Sequence, residues 1–293
     1  MQVDPHALDI DQGAAFENGQ RSTVEHHVER SAVAAKADKE WDDQMHGQDY
    51  LVYAYLQLGE DQKARAVVDE MSTTAGYKRF AGFYAFAASA ARFPVERSDW
   101  KSASDLALRP SQFAYADAVT HFARALGLAR SGNAQAAGAE VVKLAELRDK
   151  LREAKDAYWT DVVDIQRQVA AAWVLYAEGK YGDALAAMRA ATAAEDKTEK
   201  HPVTPGPLAP ARELYGAMLL ERSQFQEALA AFEATMVKEP NRYNAIAGAA
   251  RSAELLGDKA MARTYYGQLV TLAGGSGSER PALVQARQFL AAN

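Results

Sequence analysis

The chain has only six histidines, and His46 has the company that metal chemistry needs. Asp42 stands four residues before it and Asp49 three after, so on one helix two carboxylates and an imidazole share a face suited to a divalent cation. His26 and Glu29 repeat the i, i+3 spacing upstream, with Glu25 and His27 adjacent. His201 sits in a proline-rich stretch; if that loop folds over the same concavity, it approaches His46 or His121 from above. A mononuclear or dinuclear centre there would activate water. One reading is therefore a metal-assisted hydrolase of esters or phosphoesters. It places His46, Asp49 and His201 near the reacting water and takes Asp42, His46, Asp49, His121 and His201 as candidate ligands. The competing reading needs no cofactor: carboxylates beside histidines are commonplace on the exposed helices of an acidic protein, and His121 is a hydrogen-bonded core residue.

Other catalytic signatures are absent. No GxSxG, Walker loop, GxGxxG after a strand or HExxH occurs in the chain. Ser98-Asp99-Trp100-Lys101 has an S-x-x-K spacing, but it lies at a turn and reads as helix capping. Zero cysteines exclude disulfides, thiolate nucleophiles and cysteine-ligated metal sites. A net charge of −6 argues against non-specific binding to nucleic acid or to an anionic membrane, since both need a positive field. No window approaches the roughly 18 apolar residues of a membrane span, and Met1 to Asp11 carries acids where a signal peptide carries base, so the expected location is cytoplasmic.

The elements that must position these groups are legible from a repeat. Gly216, Ser223, Phe225, Ala228, Phe232 and Pro240 recur 34 residues later as Ala250, Gly257, Lys259, Ala262, Tyr266 and Gly274. Small residues and aromatics return where two antiparallel helices must touch, which is a helix-turn-helix repeat. Its second helix carries an alanine followed four residues later by a bulky residue. The pairs are Ala262 with Tyr266, Ala228 with Phe232, Ala184 with Met188, Ala137 with Val141 and Ala64 with Val68; Ala103 is a weaker instance. Each follows a turn residue: Gly257, Ser223, Gly179, Gly132, Gly59 and Ser98 respectively. The expected fold is all-α, about seven helical hairpins near 5–38, 45–78, 80–117, 118–151, 158–198, 209–242 and 243–276, with a capping helix over 280–292. From Ala139 to Glu178 no Gly or Pro interrupts the pattern, which predicts either long helices or a tight break near Tyr158 to Asp161. Prolines 202, 205, 207 and 210 forbid a helix over 199–210, a loop of defined shape. Residues 1–21 lack an apolar stripe and are expected to be frayed, with a single domain over 22–293.

DYLVYAYLQLG at Asp49 to Gly59, THFARALGLARSGN at Thr120 to Asn133 and EKHPVTPGPLAPARELYG at Glu199 to Gly216 resemble the C-terminal half of a group of bacterial tetratricopeptide-repeat proteins. The resemblance runs from about Val33 onward and implies a TPR-like right-handed α-solenoid, but no activity. The chain departs from that pattern after Pro5-His6-Ala7-Leu8, where DIDQGAAFENGQR replaces a helix bearing two further histidines. Such proteins also carry more repeats upstream, so this chain resembles a truncated or rearranged version.

In a tetratricopeptide superhelix the first helix of each pair lines a concave groove. That phase points His46, Asp49, Tyr53, Leu56 and Gln57 inward, then Gln166, Val169, Trp173 and Tyr176, then Glu213, Glu221, Asn244 and Arg251. This mixed aromatic and polar wall suits an extended peptide, a protein segment or a small ligand, with Tyr53, Gln57, Gln166, Trp173, Tyr176 and Arg251 as contacts. The alternative for Trp173 and Tyr176 is packing between helices. A carboxylate clamp of the chaperone type needs several basic groove residues, and only Asn244 and Arg251 fit. The leading expectation is a non-enzymatic binding protein. A structural fragment prone to self-association, with its binding surface on missing upstream repeats, is a further one.

Overall fold

The computed structural model describes Val33, residues 41–201 and residues 203–292. Among them lie thirteen helices and no strand: α1 (Trp41–Gln57), α2 (Asp61–Thr73), α3 (Phe80–Glu96), α4 (Trp100–Ser104), α5 (Ala114–Arg130), α6 (Ala134–Glu153), α7 (Ala157–Ala177), α8 (Tyr181–Glu195), α9 (Ala211–Glu221), α10 (Phe225–Lys238), α11 (Tyr243–Leu255), α12 (Lys259–Ala273) and α13 (Pro281–Ala292). The all-α expectation is met. No described helix is long and apolar enough to cross a membrane. The expected first hairpin, the frayed segment and His26 with Glu29 all lie outside the described residues.

The alanine seam fell where the repeat placed it. Ala64, Ala103, Ala137, Ala184, Ala228 and Ala262 are all fully buried, each on the second helix of its pair. A methyl side chain lets two helix axes approach closely, and the bulky neighbour one turn on fills the space beside them. The turns share one device. Gly59, Gly132, Gly179 and Gly257 have φ between 70° and 81°, and Ser98, Lys155 and Ser223 hold the same left-handed conformation with φ of 54° to 59°. That residue ends the preceding helix and lets the chain reverse. Asn133, Asp156 and Asp258, each directly after a left-handed residue, cap the following helix by accepting from the Ala136, Trp159 and Met261 amides.

Two boundaries differ from expectation. The uninterrupted 139–178 stretch breaks at Ala154 to Asp156, not at Tyr158 to Asp161, because Lys155 takes the left-handed turn without a glycine and Asp156 caps α7. The third pair is α3 with the five-residue α4. Its second helix ends at Ser104, so the fourth pair starts at Ala114.

The chain divides into two compact units. Of the described residues, those up to Ala85, those within Lys200–Pro207 and those from Phe232 onward form one; Phe86–Glu199 and Leu208–Ala231 form the other. In the first unit Leu58, at the end of α1, joins the core of α11 to α13 built on Tyr243, Ile246, Tyr266, Leu269 and Leu283. In the second unit α5 packs on α4, α6 and α7, α6 packs on α7, and α8 packs on α7 and α9.

Candidate functional site

In the first unit, the histidine face of α1 meets the proline loop. Val203, Thr204, Pro205 and Gly206 are buried, although loops ordinarily run over the surface. Their polar groups are accounted for: the Tyr50 hydroxyl donates to the Thr204 carbonyl, the Tyr84 hydroxyl to Thr204 Oγ1, and that hydroxyl in turn to the Gly206 carbonyl. His46 hydrogen-bonds the Val203 backbone, and His201 Nδ1 accepts from the Val203 amide at 3.1 Å. The loop therefore meets His46 through Val203, with His201 bonded to that same residue's amide. Burial lowers the His46 pKa below its ordinary value, against the opposing pull of Asp43 and of the Val203 backbone bond. Its ring stands edge-on to Tyr50, and its Nδ1 is buried with no partner.

The proposed ligand set does not assemble. Asp42 accepts the Lys78 and Arg79 amides at 2.8–3.2 Å, which commits its carboxylate to starting α3. His121 belongs to the second unit, where its Nδ1 lies 2.5 Å from Glu140 and Arg124 reaches the other oxygen of the same carboxylate at 2.7 Å. Asp49 is fully buried within α1. Among the described residues, no three His, Asp or Glu side chains gather in a way that could hold a metal ion.

The contact residues expected for a groove divide between the units. In the first, Gln57 is buried and its Oε1 accepts the Tyr243 amide at 2.9 Å, an inter-helix tie across 186 residues of chain. Tyr53 is buried as well. Arg251 is 41% exposed and pairs with Glu254 at 2.9 Å, a carboxylate that also takes the Tyr266 hydroxyl and the Gln285 amide.

The second unit gathers more. Trp173 and Tyr176 occupy the last turns of α7, and their rings meet edge-on at 5.1 Å; Tyr176 meets Tyr181, the first residue of α8, at 4.9 Å. Trp173 is 1% exposed and Tyr181 is 39% exposed, so the ladder runs from core to surface. Arg130, the last residue of α5, lays its guanidinium 4.3 Å from the Trp173 ring and 5.3 Å from Trp100, the first residue of α4. It pairs with Glu221, at the end of α9, at 2.5 Å. Arg222 lies 4.0 Å over Tyr181. Burial, with the Glu221 charge and hydrogen bond, pushes the Tyr176 hydroxyl up to about 12, so it stays a donor at neutral pH. Every member sits at the turn end of its helix. Successive hairpins thus place aromatic rings and guanidinium groups in one row. Gln166 lies three turns before Tyr176 on α7 and is half-buried.

Sequence reasoning named Trp173, Tyr176 and Glu221 of this row but missed Trp100, Arg130, Tyr181 and Arg222. A signal was available. The residue two after a left-handed turn position is aromatic four times, at Trp100, Tyr181, Phe225 and Tyr243.

No protein-family model matches the chain, and neither a curated protein nor a solved structure matches it.

Proposed function

We propose that this chain is a helical-repeat binding protein, a TPR-like right-handed solenoid whose hairpins present a face to an extended peptide or protein segment. The observation that carries this reading is the core-to-surface row Trp173, Tyr176 and Tyr181 with its stacked arginines. Tyrosine and arginine are the residues that binding surfaces concentrate. Tyrosine offers a large apolar area with few rotors, and arginine a rigid fork of donors. Trp173 supports the row from beneath, while Tyr176 and Tyr181 are the rings a segment would touch. Short α-helical repeats supply rigid placement of such side chains from several helices at once.

A display selection of random peptides against the purified protein tests it. Enriched peptides should bind the wild type and lose at least about tenfold in affinity to the Tyr176→Ala, Tyr181→Ala double variant. No enrichment, or equal binding by the double variant, overturns the proposal.

A further inference from the structure

The aromatic row has more hydrogen-bond donors than acceptors, and that surplus points to the chemistry of an occupant; the inference rests on the binding reading above. The Arg222 guanidinium carbon lies 4.0 Å from the centre of the Tyr181 ring on an exposed residue, so the N–H groups not turned to the ring are open to an acceptor. No carboxylate among the described residues pairs with it. Glu221, the acid of the row, is committed to Arg130 at 2.5 Å and to the Tyr176 hydroxyl. Two further donors, Arg130 Nε and Trp173 Nε1, are buried without an acceptor. One face of each ring is meanwhile taken, those of Trp100 and Trp173 by Arg130 and that of Tyr181 by Arg222, while Tyr181 stays 39% exposed. A cationic ligand would find these faces occupied and two guanidinium groups repelling it. An anionic one finds a preorganised fork on an exposed residue beside an exposed ring.

We propose that Arg222 receives the side-chain carboxylate of a glutamate or aspartate in an extended partner segment, whose neighbouring apolar residue packs on Tyr176 and Tyr181. A planar guanidinium matches a carboxylate bidentately, and stacking on Tyr181 lowers the rotamer freedom lost when it binds. The charge of the segment and the apolar neighbour are thus read by adjacent groups of one row.

The probes are the display-selected peptides, each resynthesised with its internal acids changed to amides and, separately, with only its C-terminus amidated. Binding is measured to the wild type, to Arg222→Ala and to Arg222→Lys. The proposal expects the acid-to-amide change to weaken wild-type binding about tenfold and to have no further effect on Arg222→Ala, with Arg222→Lys recovering only part of the affinity. Peptides that still need Tyr176 and Tyr181 but bind equally as acid or amide would overturn the carboxylate assignment and leave the binding reading standing. Loss on C-terminal amidation alone would also overturn it, by moving recognition to the chain end. Failure to select any peptide defeats both. Arg222 is exposed, and the peptide-side change leaves the protein untouched, so a folding defect in one variant cannot mimic the expected pattern.

Discussion

His46 shows how burial decides what a polar residue can do. Its ring is held between Tyr50 and the Val203 backbone, and desolvation lowers its pKa below the ordinary imidazole value despite the nearby Asp43. The folded state therefore prefers the neutral imidazole. As pH falls through about 6.5 the unfolded chain takes up a proton that the folded chain refuses, so the His46 contribution is full above that pH and is lost below it. Urea midpoints measured between about pH 8 and about pH 5 should fall more steeply for the wild type than for His46→Gln. Parallel profiles would show that the site does not discriminate between the two states. The type and spacing of His46, Asp42 and Asp49 were legible in the sequence, but the competition for their lone pairs was not. Asp42 is engaged by two amides some 36 residues on, and no local pattern announces that. Trp173 and Gln57 were placed on the right helices, yet both are covered. Helix phase says which residues share a face, and only the neighbouring helix determines whether that face is wet.

At the scale of the element, the hairpin was readable because its constraints are local. An alanine at the seam and a left-handed residue at the turn follow from close helix approach and chain reversal, and both recur at a readable period. Where glycine is replaced, the same geometry holds at a cost, and the reading weakens: Lys155 was missed for that reason. Ser223 adopts φ of 58° at an exposed turn between α9 and α10. Ser223→Gly should raise the unfolding free energy by up to about 1 kcal/mol, and the denaturant midpoint with it, the left-handed penalty being larger than the entropy glycine adds to the unfolded chain. A neutral or lower midpoint would place the strain elsewhere. Gly127 in α5 is the opposite case. A Cβ there would lie 2.4 Å from the Ser104 nitrogen and 2.6 Å from the Trp100 carbonyl oxygen, both backbone atoms of α4 that cannot swing aside. Gly127→Ala should cost about 1–3 kcal/mol in denaturant unfolding and disturb the adjoining Trp100 and Arg130.

At the scale of the whole molecule, the least legible feature is that one unit is assembled from both ends of the described chain. A repeat pattern reports which helix follows which, whereas Leu58 packs among residues of α11 to α13 that lie far along the sequence. Three contacts make the tie. Gln57 accepts the Tyr243 amide, and the left-handed Gly59 turn fits against Ala273, Ser276 and Ser278, where a Cβ would come within 3.1–3.4 Å. Arg280 grips both oxygens of the Asp61 carboxylate, across 219 residues, while stacking 4.6 Å over Tyr243. The Arg280 side chain is only 9% exposed, so loss of its partner strands a charge in a poorly hydrated place. A tie of this kind makes α1, α2 and α11 to α13 one opening unit in native-state hydrogen exchange. Their slowest amides should therefore share one opening free energy. Arg280→Ala should lower that free energy for α1 as much as for α11, because the contact belongs to both. If α1 lost protection while α11 and α12 kept theirs, the first hairpin would be an attachment and not a member of that core.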